Sequence, residues 1–226
     1  KLLAVVTICL FLLTGSAPAA EVVLYSSNPS ELLDLVTKGF ETKTGIKVSV
    51  VRLGTGEAMK RIAAEKDKPL CDVFWSGDVA VLENAKANFQ PYRSPEAKGL
   101  PAGYVDKEGR WTASNAHVMI IMTNKSQAKD QEAPKMWKDL FLPRWKGKIV
   151  MANPEKSGSA YAQVYGIYKL YGWDGLKKLI ENAKILDSSS LIYKGVAAGE
   201  YHLGVTMEYA AHRYIAGGDK NVGIVY

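Results

Sequence analysis

The stretch Asn153-Pro154-Glu155-Lys156-Ser157-Gly158-Ser159-Ala160-Tyr161 lies between a short apolar run, Lys148–Ala152, and a helical pattern that continues to about Tyr171. Strand, polar turn with a glycine between two serines, then helix: this order leaves several backbone N–H groups unpaired where the helix starts. With two hydroxyls and the positive end of the helix dipole, those donors form a ready site for an oxyanion. Ser157 or Ser159 is equally suited to be a plain N-cap. The local sequence leaves both roles open, and the same donors serve both.

The same grammar repeats on either side. Glu21–Tyr25 reads as a buried strand, and Asn28-Pro29 with Glu31 resembles a capping box that opens a helix on Leu32, Leu33, Val36 and Phe40, closed by Gly45. Ile46–Leu53 and Cys71–Trp75 are the next strands, each followed by a polar turn and a helix. Residues 21–90 thus read β-α-β-α-β-α, which implies a parallel sheet covered by helices. Phe89–Arg110 is rich in Pro, Gly and charge and reads as surface loop, with a tight turn over Asp106–Trp111. His117–Thr123 is an apolar strand expected to run between domains, and Pro134–Leu142 a short helix stopped by Pro143. Beyond the opening stretch, Gly172 separates two helices. Strands at Lys184–Leu186, Tyr201–Thr206 and Val222–Tyr226 then alternate with helices.

Six strands end in a polar or glycine-containing turn that opens a helix: Ser26–Asn28, Gly54–Glu57, Ser76–Asp78, Ser157–Ser159, Ser188–Ser190 and Met207–Tyr209. In open parallel sheets ligands sit outside the carboxyl ends of the strands. Two such domains facing each other would gather all six turns around one cleft. The expected organisation is a signal peptide at 1–19, a first α/β domain at 20–117, and a second at 118–226 that carries the anion-binding helix start. A last strand that reaches Tyr226 implies a C-terminally truncated chain.

Lys1, the apolar run Leu2–Leu13 and the small-residue site Ala17-Pro18-Ala19-Ala20 describe a cleavable secretory signal peptide. The run is too short to span a bilayer. Cys9 follows Ile8, where a lipoprotein signal wants Gly or Ala, which argues against a lipid anchor. Cleavage after Ala19 leaves Cys71 as the remaining cysteine of two, so no internal disulfide is expected. The net charge of +6 is spread along the chain, which excludes a nucleic-acid stripe and is compatible with a small anionic ligand. No second apolar segment reaches membrane length, so the mature chain is expected to lack a membrane span; a monomer is expected as well.

One ordered set of motifs covers nearly the whole mature chain. It comprises Val23-Leu24-Tyr25-Ser26, Cys71-Asp72-Val73-Phe74-Trp75, Lys146-Gly147-Lys148-Ile149, Asn153-Pro154 with Ser157-Gly158-Ser159, and Gly195–Tyr201 with Gly204-Val205-Thr206. This set resembles the periplasmic solute-binding proteins of ABC importers with the type II two-domain fold. Within them it is most similar to the ferric-iron-binding family and its relatives that bind phosphorylated organic molecules. The resemblance implies a periplasmic α/β binding protein with a ligand cleft between domains, no enzymatic activity and no cofactor. Its partners would be a small anionic solute and the permease and ATPase of an importer.

Iron-binding members of that family hold Fe(III) with two adjacent tyrosines, a histidine and a carboxylate, plus a bound anion. Here the tyrosine-pair position reads Glu208-Tyr209-Ala210, the histidine position falls at or beside Pro29, and the carboxylate position falls near Gly77, one residue from Asp78. His202 and His212 flank the region and read equally as surface residues. The resemblance therefore implies an incomplete iron set (Tyr209, Glu208 and Asp78 if iron binds) beside an intact anion segment. That combination points to a sugar phosphate or a 2-aminoethylphosphonate-type ligand, with a ferric carrier using a synergistic anion as the alternative. Candidate ligand contacts are Ser26, Ser27, Asn28, Thr55, Trp75, Asp78, Ser157, Gly158, Ser159, Ala160, Tyr161, Ser189, Glu208 and Tyr209. Glu208 would accept from ligand hydroxyls or an amine, and Trp75 or Tyr161 would stack. The plain alternatives are core for Trp75, helix packing for Tyr161 and a dipole-favoured helix-start carboxylate for Glu208. A secreted hydrolase with Ser157 or Ser159 as nucleophile is a remote alternative, because the Gly-x-Ser-x-Gly elbow is missing.

Overall fold

The computed structural model describes residues 20–129 and 133–226. The expected signal peptide, with Cys9, lies outside the described residues. Two sheets organise the chain. The first holds β1 (Glu21–Ser26), β2 (Lys47–Arg52) and β3 (Val73–Phe74) in the order β2-β1-β3, all parallel. Its helices are α1 (Ser30–Thr44), α2 (Thr55–Ala64) and α3 (Val79–Ala85).

The second sheet is five-stranded, in the order β6-β5-β7-β4-β8, built from β4 (Met119–Asn124), β5 (Ile149–Ala152), β6 (Ala183–Leu186), β7 (Leu203–Met207) and β8 (Val222–Val225). β5 runs parallel to β6 and β7, whereas β4 is inserted antiparallel between β7 and β8. Because strand side chains alternate, the apolar run of β4 feeds both faces. Ile120 and Met122 join Val150, Ile192 and Val196 in one core, while Ile121 joins Ile149, Met151, Leu179 and Val205 in the other. A sheet buried on both faces needs continuous apolar strands rather than alternating ones. α4 (Gly158–Asn182), α5 (Ser189–Ala197) and α6 (Glu208–Ala216) supply the cover. Gly172, with φ of 65°, breaks α4 into two helical segments at the expected position.

Several local expectations need correction. Asn28 does not cap α1: Pro29 occupies the cap position without a side-chain bond, and the Asn28 amide instead donates to the Trp75 carbonyl at 3.0 Å. The Cys71–Trp75 strand shrinks to Val73–Phe74, because the Asp72 carboxylate takes the Val23 N–H at 2.8 Å at the edge of the ladder. The short helix expected over Pro134–Leu142 is a 3₁₀ helix confined to Trp137–Phe141. There the Asp139 carboxylate accepts from the N–H groups of Lys135 and Met136, and a second 3₁₀ turn starts at Pro143. Asp106–Trp111 forms the expected tight turn around Gly109, with the buried Asp106 carboxylate accepting from the N–H groups of Glu108 and Arg110. Among the described residues, no helix is long and apolar enough to cross a membrane.

Candidate ligand-binding cleft

A cleft of about 880 Å³ opens between the two sheets. Each of the six turns gives it at least one wall residue: Ser27 and Asn28, Thr55, Ser76–Asp78, Ser157–Ser159, Ser188–Ser190, and Met207 with Tyr209. The strand-turn-helix order thus does what open α/β sheets do generally, turning helix N-termini toward the space beyond the strand ends.

On the five-stranded side three hydroxyls form a closed triangle. Ser157 Oγ lies 2.6 Å from Ser189 Oγ and 3.1 Å from Ser159 Oγ, and Ser159 and Ser189 are 2.8 Å apart. Ser157 caps α4 by accepting from the Ala160 N–H at 3.3 Å, and Ser188 caps α5 by accepting from the Ser190 N–H at 3.2 Å. The N-termini of two helices therefore meet at one polar point, where both macrodipoles favour negative charge. Ser157 is a cap, and its hydroxyl also belongs to the triangle.

A second hydroxyl group faces it from the three-stranded side. Ser27 Oγ lies 2.9 Å from Thr55 Oγ1 and is hydrogen-bonded to Ser76 Oγ. Trp75 lines the cleft with its indole N–H donating to Ser114 Oγ at 3.0 Å, which tethers the ring edge. Asp78 caps α3, its carboxylate accepting from the Ala80 N–H at 2.9 Å. Tyr209 packs its ring 5.2 Å from that of His117. Desolvation, with the neighbouring Tyr193 second, pushes the Tyr209 phenol up to about 12, against the opposing charge of Arg213. Burial also holds His117 below its ordinary range.

The two sides touch along a seam of glycines. An added Cβ at Gly56 would lie 1.8 Å from the Glu155 carbonyl oxygen, and one at Gly54 2.9 Å from that of Lys156. At Gly158 it would meet Thr55 Oγ1 at 3.2 Å and Gly77 Cα at 3.3 Å. Arg213 on α6 also reaches across to Glu31 on α1, at 3.0 Å.

Four of the expected contacts stand away from the cleft wall. Ser26 is fully buried and donates to the Trp75 carbonyl at 2.5 Å. Ala160 is fully buried in the core beneath α4. Tyr161 follows it around the helix and does not line the cleft. Glu208 starts α6, but its carboxylate accepts from the Tyr226 hydroxyl at 2.5 Å instead of facing the cleft. The structure brings together Ser27, Asn28, Thr55, Trp75, Asp78, Ser157, Gly158, Ser159, Ser189 and Tyr209. It also adds residues that the sequence did not single out. Trp111 and His117 come from the segment that leads into β4, Arg52 from the end of β2 and Arg213 from α6. The position of Arg52 at a strand end, with one residue between it and the Gly54-Thr55-Gly56 turn, was the available signal for one of them.

The model of the family described as bacterial extracellular solute-binding protein matches residues 68–226. An uncharacterized protein of Haemophilus influenzae is 30% identical over 207 residues, covering 85% of this chain and 60% of that protein. The Fe(3+)-binding periplasmic protein of Serratia marcescens is 27% identical over 196 residues, covering 83% of this chain and 57% of its own length. The chain thus spans about 60% of the length of these relatives. The periplasmic binding protein AfuA from Actinobacillus pleuropneumoniae, solved with exogenous fructose-6-phosphate bound, superposes with a TM-score of 0.79 at 24% identity, over 91% of this chain and 69% of that one. Two α/β sheets with a cleft between them are thus the fold of the type II periplasmic binding proteins, and the chain belongs to the bacterial extracellular solute-binding protein family.

Proposed function

We propose that this protein is the extracytoplasmic solute-binding component of an ABC importer, capturing a small phosphorylated or phosphonate solute in the cleft. The observation that carries this is the Ser157–Ser159–Ser189 triangle at two converging helix N-termini. Neutral hydroxyls and backbone dipoles hold a multiply charged anion without requiring a buried counter-charge. The opposite wall of Ser27, Thr55 and Trp75 would take the organic part of the ligand through hydroxyl contacts and stacking. The working division is a first domain at 20–117 and a second at 118–226, with export directed by 1–19 and delivery to a permease and ATPase. Isothermal titration calorimetry with sugar phosphates and 2-aminoethylphosphonate tests the reading, and a panel without measurable binding would refute it.

The ferric alternative has a specific difficulty in the ligand set. Of Tyr209, Glu208 and Asp78, the first is a phenol with a raised pKa, the second turns to Tyr226, and the third is engaged as a helix cap. Fe(III) needs several hard anionic oxygens converging on one point, and among the described residues no group of three or more His, Cys, Asp or Glu does so. Adding Fe(III) with citrate or phosphate is expected to leave the protein colourless. An intense visible phenolate-to-iron band that disappears in Tyr209→Phe would establish the iron carrier instead. For catalysis, the hydroxyls of Ser157 and Ser159 have serines as their side-chain partners, and His117 stacks on Tyr209, so among the described residues neither serine is hydrogen-bonded to a base that would activate it.

A further inference from the structure

The cleft also has a charged region whose partners come from both sides. Glu31 at the start of α1 binds Arg213 at 3.0 Å across the cleft. Arg52, at the end of β2, donates to Ser30 Oγ at 2.6 Å, one residue from Glu31. Lys194 lies on α5 and also lines the cleft. The Glu31 carboxyl is held below its ordinary range by its own backbone N–H first, then by the bond and charge of Arg213, with Lys194 also contributing. One of these cations, Arg213, is paired with Glu31, whereas Arg52 binds the neighbouring Ser30 hydroxyl, and Arg52 and Lys194 have no carboxylate partner among the described residues. Like charges brought together across a closing cleft repel, and the surplus of about two positive charges is relieved by an anion between them. Unlike the serine triangle, this region is built from charged side chains.

We infer that the cleft holds a second anion subsite, formed by Arg52 and Lys194 beside the Arg213–Glu31 pair, and that the solute carries a second acidic group in addition to its phosphate or phosphonate. The inference rests on the proposed phosphate-ester reading and narrows it to doubly acidic solutes: bisphosphates, or phosphate esters that also bear a carboxylate. A guanidinium and an ammonium suit both groups, since the first offers a planar fork and the second a mobile point charge.

The test uses two matched pairs of probes on the full chain, glycerol 3-phosphate against 3-phosphoglycerate and fructose 6-phosphate against fructose 1,6-bisphosphate. Calorimetry is expected to give at least tenfold tighter binding for the doubly acidic member of one pair or both. Arg52→Gln combined with Lys194→Gln should erase that preference while the singly phosphorylated probes bind as before. A wild-type protein without the preference, or a double variant that retains it, overturns the second subsite and leaves the phosphate-ester reading standing. If no probe in either pair binds, the phosphate-ester reading fails and the second subsite fails with it. Circular dichroism of the double variant separates lost recognition from lost folding.

Discussion

Replacing Ser159 and Ser189 together with alanine is expected to weaken phosphate-ester binding by roughly 2–4 kcal/mol, because two hydrogen bonds to a charged group are lost. Ser157 is left in place because it also caps α4. Removing an N-cap lowers folding stability by about 0.5–2 kcal/mol, which would mix folding with recognition. Ser159 and Ser189 cap neither helix, and Ser157 keeps its bond from the Ala160 N–H when they are gone. The double variant should therefore melt close to the wild-type temperature while its affinity drops. Affinity unchanged by calorimetry would remove the anion role from the triangle, whatever else the cleft binds.

Gly56→Ala is expected to move stability and affinity in opposite directions. Inside α2 the substitution favours the helix by about 1 kcal/mol. The added Cβ, however, falls 1.8 Å from the Glu155 carbonyl oxygen, where real Cβ atoms stay beyond 3.0 Å. Both partners at this contact are backbone, so neither can swing aside as a long side chain would. Relief requires the two halves to separate at the seam, and overpacking of this kind costs about 1–3 kcal/mol. That penalty falls only on an arrangement in which the two halves touch at the seam, so the variant should bind about 5- to 150-fold more weakly and, with the halves apart, melt no lower than wild type. Small-angle scattering of the ligand-saturated variant should give a larger radius of gyration than wild type. Tight binding with an unchanged radius would mean that the glycine seam is not part of the ligand-bound arrangement.

Much of the scaffold was legible because its signals are local. Alternating or continuous apolar runs, each followed by a Ser- or Gly-containing turn, marked the strands and the helix starts, and every one of the six turns reaches the cleft. The errors at the site have a common cause in helix geometry. Successive residues of a helix point about 100° apart, so neighbours in sequence face different environments. Ser159 lines the cleft while Ala160 enters the core, and Tyr209 lines it while Glu208 turns to Tyr226. Which residue of such a pair faces inward depends on how the helix docks, and no single turn of sequence records that.

The segment before β4 was illegible for another reason. It has no periodic pattern, and tertiary bonds hold it in place: Trp111 Nε1 to Glu83, Arg110 to the Phe89 carbonyl, and Trp75 Nε1 to Ser114. A stretch read as surface loop thereby becomes one wall of the cleft. The Arg52 and Lys194 region is similar, since two cations far apart in sequence gain their meaning only when a β-strand end and a helix face the same space.

The placement of β4 bears on the order in which the protein can assemble. Ile121 pairs with Val205 on one side and Val225 on the other, so the strand that enters the five-stranded sheet waits for partners that follow it at long sequence separation. β5 and β6 have a shorter loop to close, and α4 with its kink fills that connection. Loop-closure entropy must be met before such distant pairings give any return, and this topology slows folding relative to local contacts. A chain emerging from its N-terminus can collapse around β5, β6 and α4. It cannot finish the core on either face of this sheet until β7 is available, because Leu203 and Val205 belong to one face and the α5 and α6 side chains that flank the strand complete the other. The sheet that carries the serine triangle is therefore one in which β4 stays incompletely paired until β7 and β8 have both followed it.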